Sequence, residues 1–112
     1  MRGLLVAAAI AATSSLTGCA SAPSLEGLWS ASDGSSTKVI QSDGSCSGMY
    51  YNGGAVLDIG GPESCVLGSR QDDGTYPLVV SQPPNQTTYS VRFDGDTMTF
   101  SSGGRRIVLT KQ

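Results

Sequence analysis

The C-terminal part of the chain alternates between apolar and polar residues over most of its length. Tyr89, Val91 and Phe93 fall on one side of this alternation, and hydroxyl or charged residues fall on the other. Because successive side chains of a strand point to opposite faces, the pattern predicts a half-buried β-strand. Three such segments follow one another, at 87–93, 97–101 and 106–110, with glycine turns between them. Strands joined by short turns of this kind predict an antiparallel meander.

Turn dipeptides divide the rest of the domain in the same way. Asp-Gly, Asn-Gly and Gly-Gly pairs recur after Leu25 and supply the positive φ values that hairpin turns need. The candidate strands between them are 27–31, 37–42, 47–51, 55–59, 64–68 and 76–82. Of these, 76–82 and 55–59 are expected to extend the meander, and the proline-containing segment 83–86 to form an exposed loop. The predicted fold class is all-β, a small antiparallel meander barrel or sandwich of about eight strands.

A different pattern occupies the first nineteen residues. Arg2 is followed by an Ala-rich apolar run that ends at Ala12, then by a polar break, and then by Cys19. The apolar core is much shorter than the ~20 residues that a membrane-spanning helix needs. The segment therefore predicts a cleaved secretory signal peptide.

The residues at the end of this segment are Leu16, Thr17, Gly18 and Cys19, and they resemble the lipobox of bacterial lipoproteins. The resemblance implies that residues 1–18 are removed as a signal peptide and that the Cys19 sulfur carries a lipid such as palmitate. Residues 19–24 would then form a lipidated tether, and residues 25–112 the β domain. The implied partner of Cys19 is the lipid bilayer, because two or three acyl chains anchor a protein stably. We expect an exported protein anchored to the outer membrane or to the outer face of the cell membrane.

Two cysteines remain in the predicted domain, Cys46 and Cys65. An even pair of thiols in an exported protein predicts a structural disulfide. The alternatives are a pair of metal ligands and a redox-active pair of thiols. The sequence has no histidine and no C-x-x-C spacing, so it favours neither alternative. The sequence therefore predicts no metal site and no cofactor.

Charge and composition narrow the function classes. Beyond the predicted signal peptide, six basic residues stand against nine acidic ones, a formal net charge of −3. Nucleic-acid binding would call for a basic patch, so no nucleic-acid partner is expected. Histidine is absent as a general base, and Ser35 and Lys38 lie three residues apart, the wrong spacing for one strand face. We therefore expect a protein that is not an enzyme.

The two ends of the predicted domain carry a second resemblance. Gly27-Leu28-Trp29 opens the first predicted strand, and Arg105-Arg106 opens the last. This is similar to the lipocalin (calycin) pattern, in which a Gly-x-Trp on the first strand packs its indole under an arginine of the last strand. The resemblance implies a barrel closed at one end by Trp29 beneath Arg105 or Arg106. An eight-stranded barrel has an interior only just wide enough for its own side chains.

A non-catalytic binding role is the function that these patterns favour. The expected partner is an unknown envelope protein or a small ligand. The candidate contact residues flank glycine turns and are Tyr50, Tyr51, Ser102, Gly103 and Gly104. Two alternatives stay open: an inhibitor lipoprotein that inserts loop 101–105 into an envelope enzyme such as a lysozyme, and a carrier of a small apolar ligand.

Overall fold

The computed structural model describes residues 23–112. The predicted signal peptide, Cys19 and the first part of the tether lie outside the described residues. The described chain forms ten strands, β1 Gly27–Ala31, β2 Lys38–Ile40, β3 Cys46–Ser47, β4 Tyr51–Asn52, β5 Ala55–Val56, β6 Ser64–Leu67, β7 Tyr76–Gln82, β8 Asn85–Asp94, β9 Thr97–Ser102 and β10 Arg105–Lys111. In this part of the chain, no helix is long and apolar enough to cross a membrane.

Eight of the strands form one antiparallel sheet in the order β3-β2-β1-β10-β9-β8-β7-β6. Strands β6 to β10 are sequential neighbours, which is the meander that the alternating pattern predicts. β1 returns to pair with β10, and Trp29 lies opposite Lys111. The remaining two strands, β4 and β5, form a separate small hairpin.

The two edge strands of the sheet, β3 and β6, meet and bring it close to a closed barrel. The Cys46 N–H donates to the Glu63 carbonyl at 3.0 Å, and the Cys65 N–H donates to the Gly44 carbonyl at 2.8 Å. An isolated antiparallel bridge lies at the same place. The Cys46–Cys65 disulfide crosses this seam with its Cα atoms 6.0 Å apart. The predicted all-β barrel and the predicted disulfide are both confirmed.

Two of the predicted strands and the predicted loop need correction. The segment 47–51 is interrupted at Gly48, whose φ of 77° turns the chain away from the sheet. The segment 55–59 does not join the meander, because β6 takes the place beside β7 and only Ala55–Val56 is a strand. The prolines of 83–86 form an exposed two-residue turn, and Asn85 already pairs with Gln82 at the start of β8.

The barrel has two ends, a near end and a far end. The near end, where the described chain begins, holds Leu25, the start of β1, the end of β10 and the turns 41–45, 71–75 and 95–96. The far end holds loop 32–37, the turns 83–84 and 103–104, and segment 48–63, which includes the β4–β5 hairpin. The interior between them is apolar, and its fully buried members include Leu78, Met98 and Ile107.

Candidate functional site

Segment 48–63 lies against the far end of the barrel through buried aromatic side chains. Tyr51 N–H donates to the Tyr89 hydroxyl, and the Tyr51 ring meets the Phe100 ring edge-on at a centroid distance of 5.4 Å. Tyr89 in turn donates to the carbonyl of Met49, which is fully buried. Burial raises the pKa of Tyr51 and of Tyr89 to about 12, so both hydroxyls stay protonated at neutral pH.

Two glycine turns dock on each other at this end. The turn between β4 and β5 contains Gly53 and Gly54, and the turn between β9 and β10 contains Gly103 and Gly104, all at positive φ. A Cβ on Gly103 would lie 2.4 Å from the Gly53 backbone, so only glycine permits this approach. The Arg105 guanidinium donates to the Gly54 carbonyl at 3.1 Å. The two turns therefore form one surface.

The structure brings most of the predicted contact residues to this surface. Ser102 Oγ accepts from the Gly54 N–H at 3.3 Å, which joins the two turns a second time. Tyr50 is partly buried and packs against the core, so it retains some exposed surface. Tyr51 is only 3% exposed, and it supports the surface from within instead of contacting a partner.

A polar network lies beneath the same end, around a buried lysine. Lys38 is 1% exposed, and its Nζ donates to Ser35 Oγ at 2.6 Å. Ser35 Oγ donates to Asp33 Oδ1 at 2.6 Å, and the Tyr51 hydroxyl donates to Asp33 Oδ2 at 2.9 Å. Ser35 and Lys38 are in contact although their spacing is wrong for one strand face. Ser35 lies in loop 32–37, so the spacing rule for one strand face does not apply to it.

Electrostatics within this network act differently on Asp33 and on Lys38. Burial acts to raise the pKa of Asp33, but the hydrogen bonds from Ser35 and Tyr51 and the charge of Lys38 outweigh it and lower the pKa. Burial lowers the pKa of Lys38, and the nearby carboxylates of Asp33 and Glu63 oppose that shift. The network thus favours the ionised carboxylate of Asp33, whereas burial acts against the charge of Lys38, and both side chains share the Ser35 hydroxyl.

Ser35→Ala is expected to raise the pKa of Asp33 towards its ordinary value, because the variant removes one donor to the carboxylate. A carboxylate whose pKa is lower in the folded state contributes stability above its unfolded pKa of about 3.9, and this stability is lost as the pH falls through the folded pKa. The measurement is an NMR titration of the Asp33 carboxyl carbon, with Ser36→Ala as the neighbouring control. Equal titration curves for both variants and the parent would contradict the assignment.

Glu63 lies between this network and the disulfide. Its Oε2 accepts from the Met49 N–H at 2.8 Å, and Cys46 Sγ lies 3.6 Å from the same oxygen. Burial raises the pKa of Glu63, with Asp58 adding to the shift and the Met49 N–H opposing it. Cys46, Glu63 and Cys65 converge closely enough to suggest metal ligands. The two sulfurs are bonded to each other, so they are not thiolates, the form that binds metals.

Trp29 closes the near end, although not as the lipocalin resemblance implies. The indole is 1% exposed, its Nε1 donates to the Leu25 carbonyl at 2.9 Å, and Lys111 Nζ lies 5.1 Å from the ring centroid. The prediction that Arg105 or Arg106 covers the ring is wrong. Both arginines lie at the opposite end of β10, where Arg106 lines an outer groove.

The barrel interior bears on the predicted carrier role. Leu78, Val80, Val91, Met98 and Ile107 are 0% exposed. A cavity able to hold a water molecule would expose part of its lining, so none borders these side chains.

Comparison of the chain with protein-family models, curated proteins and solved structures finds no match.

Proposed function

We propose that this protein is a membrane-anchored cell-envelope lipoprotein with a non-catalytic binding role, and that it binds its partner through the far end of the barrel. The observation that carries the proposal is the position of the docked turns. They lie at the end of the barrel opposite to Leu25, where the described chain begins.

The predicted anchor explains why this arrangement suits binding. Five residues lie between Cys19 and Leu25, so the two residues are at most about 20 Å apart when the chain is fully extended. A lipid on Cys19 would therefore hold the near end close to the bilayer, and the far end would point away from it. The far end is then the part of the domain that a protein of the envelope meets first.

The shape of the far end also favours a protein partner. Gly103 and Gly104 are exposed at the tip of a turn whose base is tied down by Arg105 and Ser102. A surface that is ordered before binding loses little conformational entropy when it binds. The same exposed turn favours, as a second candidate function, an inhibitor that blocks an envelope enzyme such as a lysozyme.

Site-specific photo-cross-linking in the producing cell tests the binding surface. A photoreactive amino acid at exposed Asn52, at the far end, is expected to capture a protein of discrete mass. The same residue at exposed Asp96, at the near end, is the matched control. Capture from Asp96 with none from Asn52 would contradict the proposed orientation. Capture of a wall hydrolase, with loss of its activity, would favour the inhibitor role.

Cys19→Ala is expected to abolish membrane anchoring, because the variant has no sulfur to lipidate. The protein should remain as an unprocessed precursor or be released, and the membrane-bound mature form should disappear. Fractionation followed by intact mass measurement checks this, with Ser21→Ala as the control beside it. Mature Cys19→Ala protein that stays in the membrane fraction would refute the lipobox assignment.

A further inference from the structure

The buried ammonium of Lys38 adjoins an open recess at the far end. The recess has a volume of about 490 Å³ and lies between loop 32–37 and segment 48–63, with Ser35, Lys38, Gly48 and Asp58 among its lining residues. Lys38 is only 1% exposed, and a Cβ on Gly48 would lie 3.2 Å from its Cδ and 3.6 Å from its Nζ. The recess therefore has a nearly buried lysine at its floor, covered on one side by a residue that has no side chain.

The hydrogen-bonding capacity of Lys38 is not filled by the described residues. An ammonium has three N–H donors and no acceptor. One N–H donates to Ser35 Oγ, and the Tyr51 ring lies 4.9 Å from Nζ on another side. Among residues 23–112, the structure gives the ammonium no second oxygen acceptor. Because a buried donor without an acceptor is costly, this position suits a ligand that brings an oxygen.

The surrounding charges decide which kind of oxygen fits. The carboxylates of Asp33 and Glu63 interact with Lys38, and Asp58 lines the recess. Three carboxylates against one ammonium would repel an anionic ligand. Asp58 Oδ1 already accepts from the Gly60 N–H and the Gln82 amide, which leaves Oδ2 to accept a further N–H. A neutral group with both a carbonyl oxygen and an N–H matches these partners.

We propose that the recess binds a backbone amide segment of the partner protein. A carbonyl oxygen of that segment accepts from Lys38 Nζ, and an N–H of the segment donates to Asp58 Oδ2. The inference rests on the proposed function for the existence of a protein partner, and it adds the chemistry by which that partner is recognised. The partner would present a polypeptide loop whose backbone groups are not paired within its own fold.

The test is an NMR titration of the full-length protein with N-acetylglycine N-methylamide, a minimal peptide amide. We expect saturable shifts of the backbone amides of 34–38 and 47–48, at millimolar probe concentration. Acetate and N-acetylglucosamine are titrated in parallel. Stronger binding of acetate would overturn the charge argument, and stronger binding of N-acetylglucosamine would assign the recess to a sugar instead of a peptide.

Lys38→Met removes the donors and retains the length of the side chain, and it should weaken probe binding at least tenfold. Lys111→Met makes the same change at the lysine over Trp29 and should leave binding unchanged. Asp58→Asn keeps an oxygen for the Gly60 N–H and the Gln82 amide and replaces the second carboxylate oxygen by an amino group, so it should fold normally and weaken binding about threefold. Unchanged binding in both Lys38→Met and Asp58→Asn would overturn the proposal. Photo-cross-linking from Asn52 could still succeed in that case, so the two proposals fail separately.

Discussion

Trp29→Ala is expected to lower the free energy of unfolding by about 3–5 kcal/mol, the usual range for emptying a core aromatic site. The indole is almost fully buried, and its Nε1 holds the Leu25 carbonyl at the point where the chain enters the barrel. The alanine variant would lose the apolar burial, this hydrogen bond and the contact with Lys111. A single domain has only about 5–15 kcal/mol of stability in total, so the variant should be close to unfolding.

Urea unfolding followed by circular dichroism measures this effect, because Trp29 is the only tryptophan and its fluorescence is lost in the variant. Leu28→Ala is the matched control, since Leu28 is the next residue and is 47% exposed. It should change the stability by less than about 0.5 kcal/mol. Lys111→Met should cost about 0.5–1 kcal/mol from the lost cation–π contact. A Trp29→Ala loss no larger than that of Leu28→Ala would place the indole outside the core.

The long strands could be predicted from the sequence because their signals are local. Residues 87–93 alternate apolar and polar side chains, and in 76–82 the apolar residues Tyr76, Leu78 and Val80 fall at every second position. β7 and β8 appear there with only small shifts at their ends. One face of each strand is buried, so the positions of the apolar residues show which side chains face the core and thereby fix the register of the strand. Segments 47–51 and 55–59 are shorter, and their apolar and polar residues do not alternate regularly. There, the turn at Gly48 and the docking of Gly53 against Gly103 decide the course of the chain.

The sequence pattern locates the turns but does not give the lengths of two of them. Asp-Gly pairs predict two-residue hairpins, but 41–45 and 71–75 are five-residue loops of one kind. In each loop, the glycine N–H donates to the carbonyl of the glutamine that begins the loop. The aspartate carboxylate accepts from the N–H of the Ser or Thr two residues later. The shared pattern Gln-x-Asp-Gly-Ser/Thr matches a type I turn followed by a left-handed glycine. A comparison of the two loops in sequence would have found this repeat.

The candidate site depends on contacts between distant parts of the chain, which no local pattern encodes. Lys38 is buried because Gly48 and Tyr51 pack over it, and these residues reach it through the turn at Gly48. The prediction that an arginine covers Trp29 is wrong for a similar reason. The antiparallel pairing of β1 with β10 places the last lysine of the strand, not its first arginines, opposite the indole.

Replacing both Cys46 and Cys65 by alanine is the second large change that we expect to measure. The bridge closes a loop with a sequence separation of 19 residues. On the chain-entropy model, its loss should lower the free energy of unfolding by about 3 kcal/mol. The structure adds a folded-state reason, because the bridge reinforces a seam where the edge strands share few backbone hydrogen bonds.

The seam gives this prediction a local readout that a purely unfolded-state effect would not produce. Hydrogen exchange of the backbone amides at positions 46 and 65, which donate across the seam, should become faster than global unfolding of the variant allows. Amides of Val80 and Val91, in the meander, should instead follow global stability. Reducing the parent protein with a phosphine should reproduce both effects, because it breaks the same bond without a substitution. If stability falls but exchange at the seam is not faster, the bridge stabilises the protein only by restricting the unfolded chain. If stability falls in neither sample, the barrel closes without the bridge.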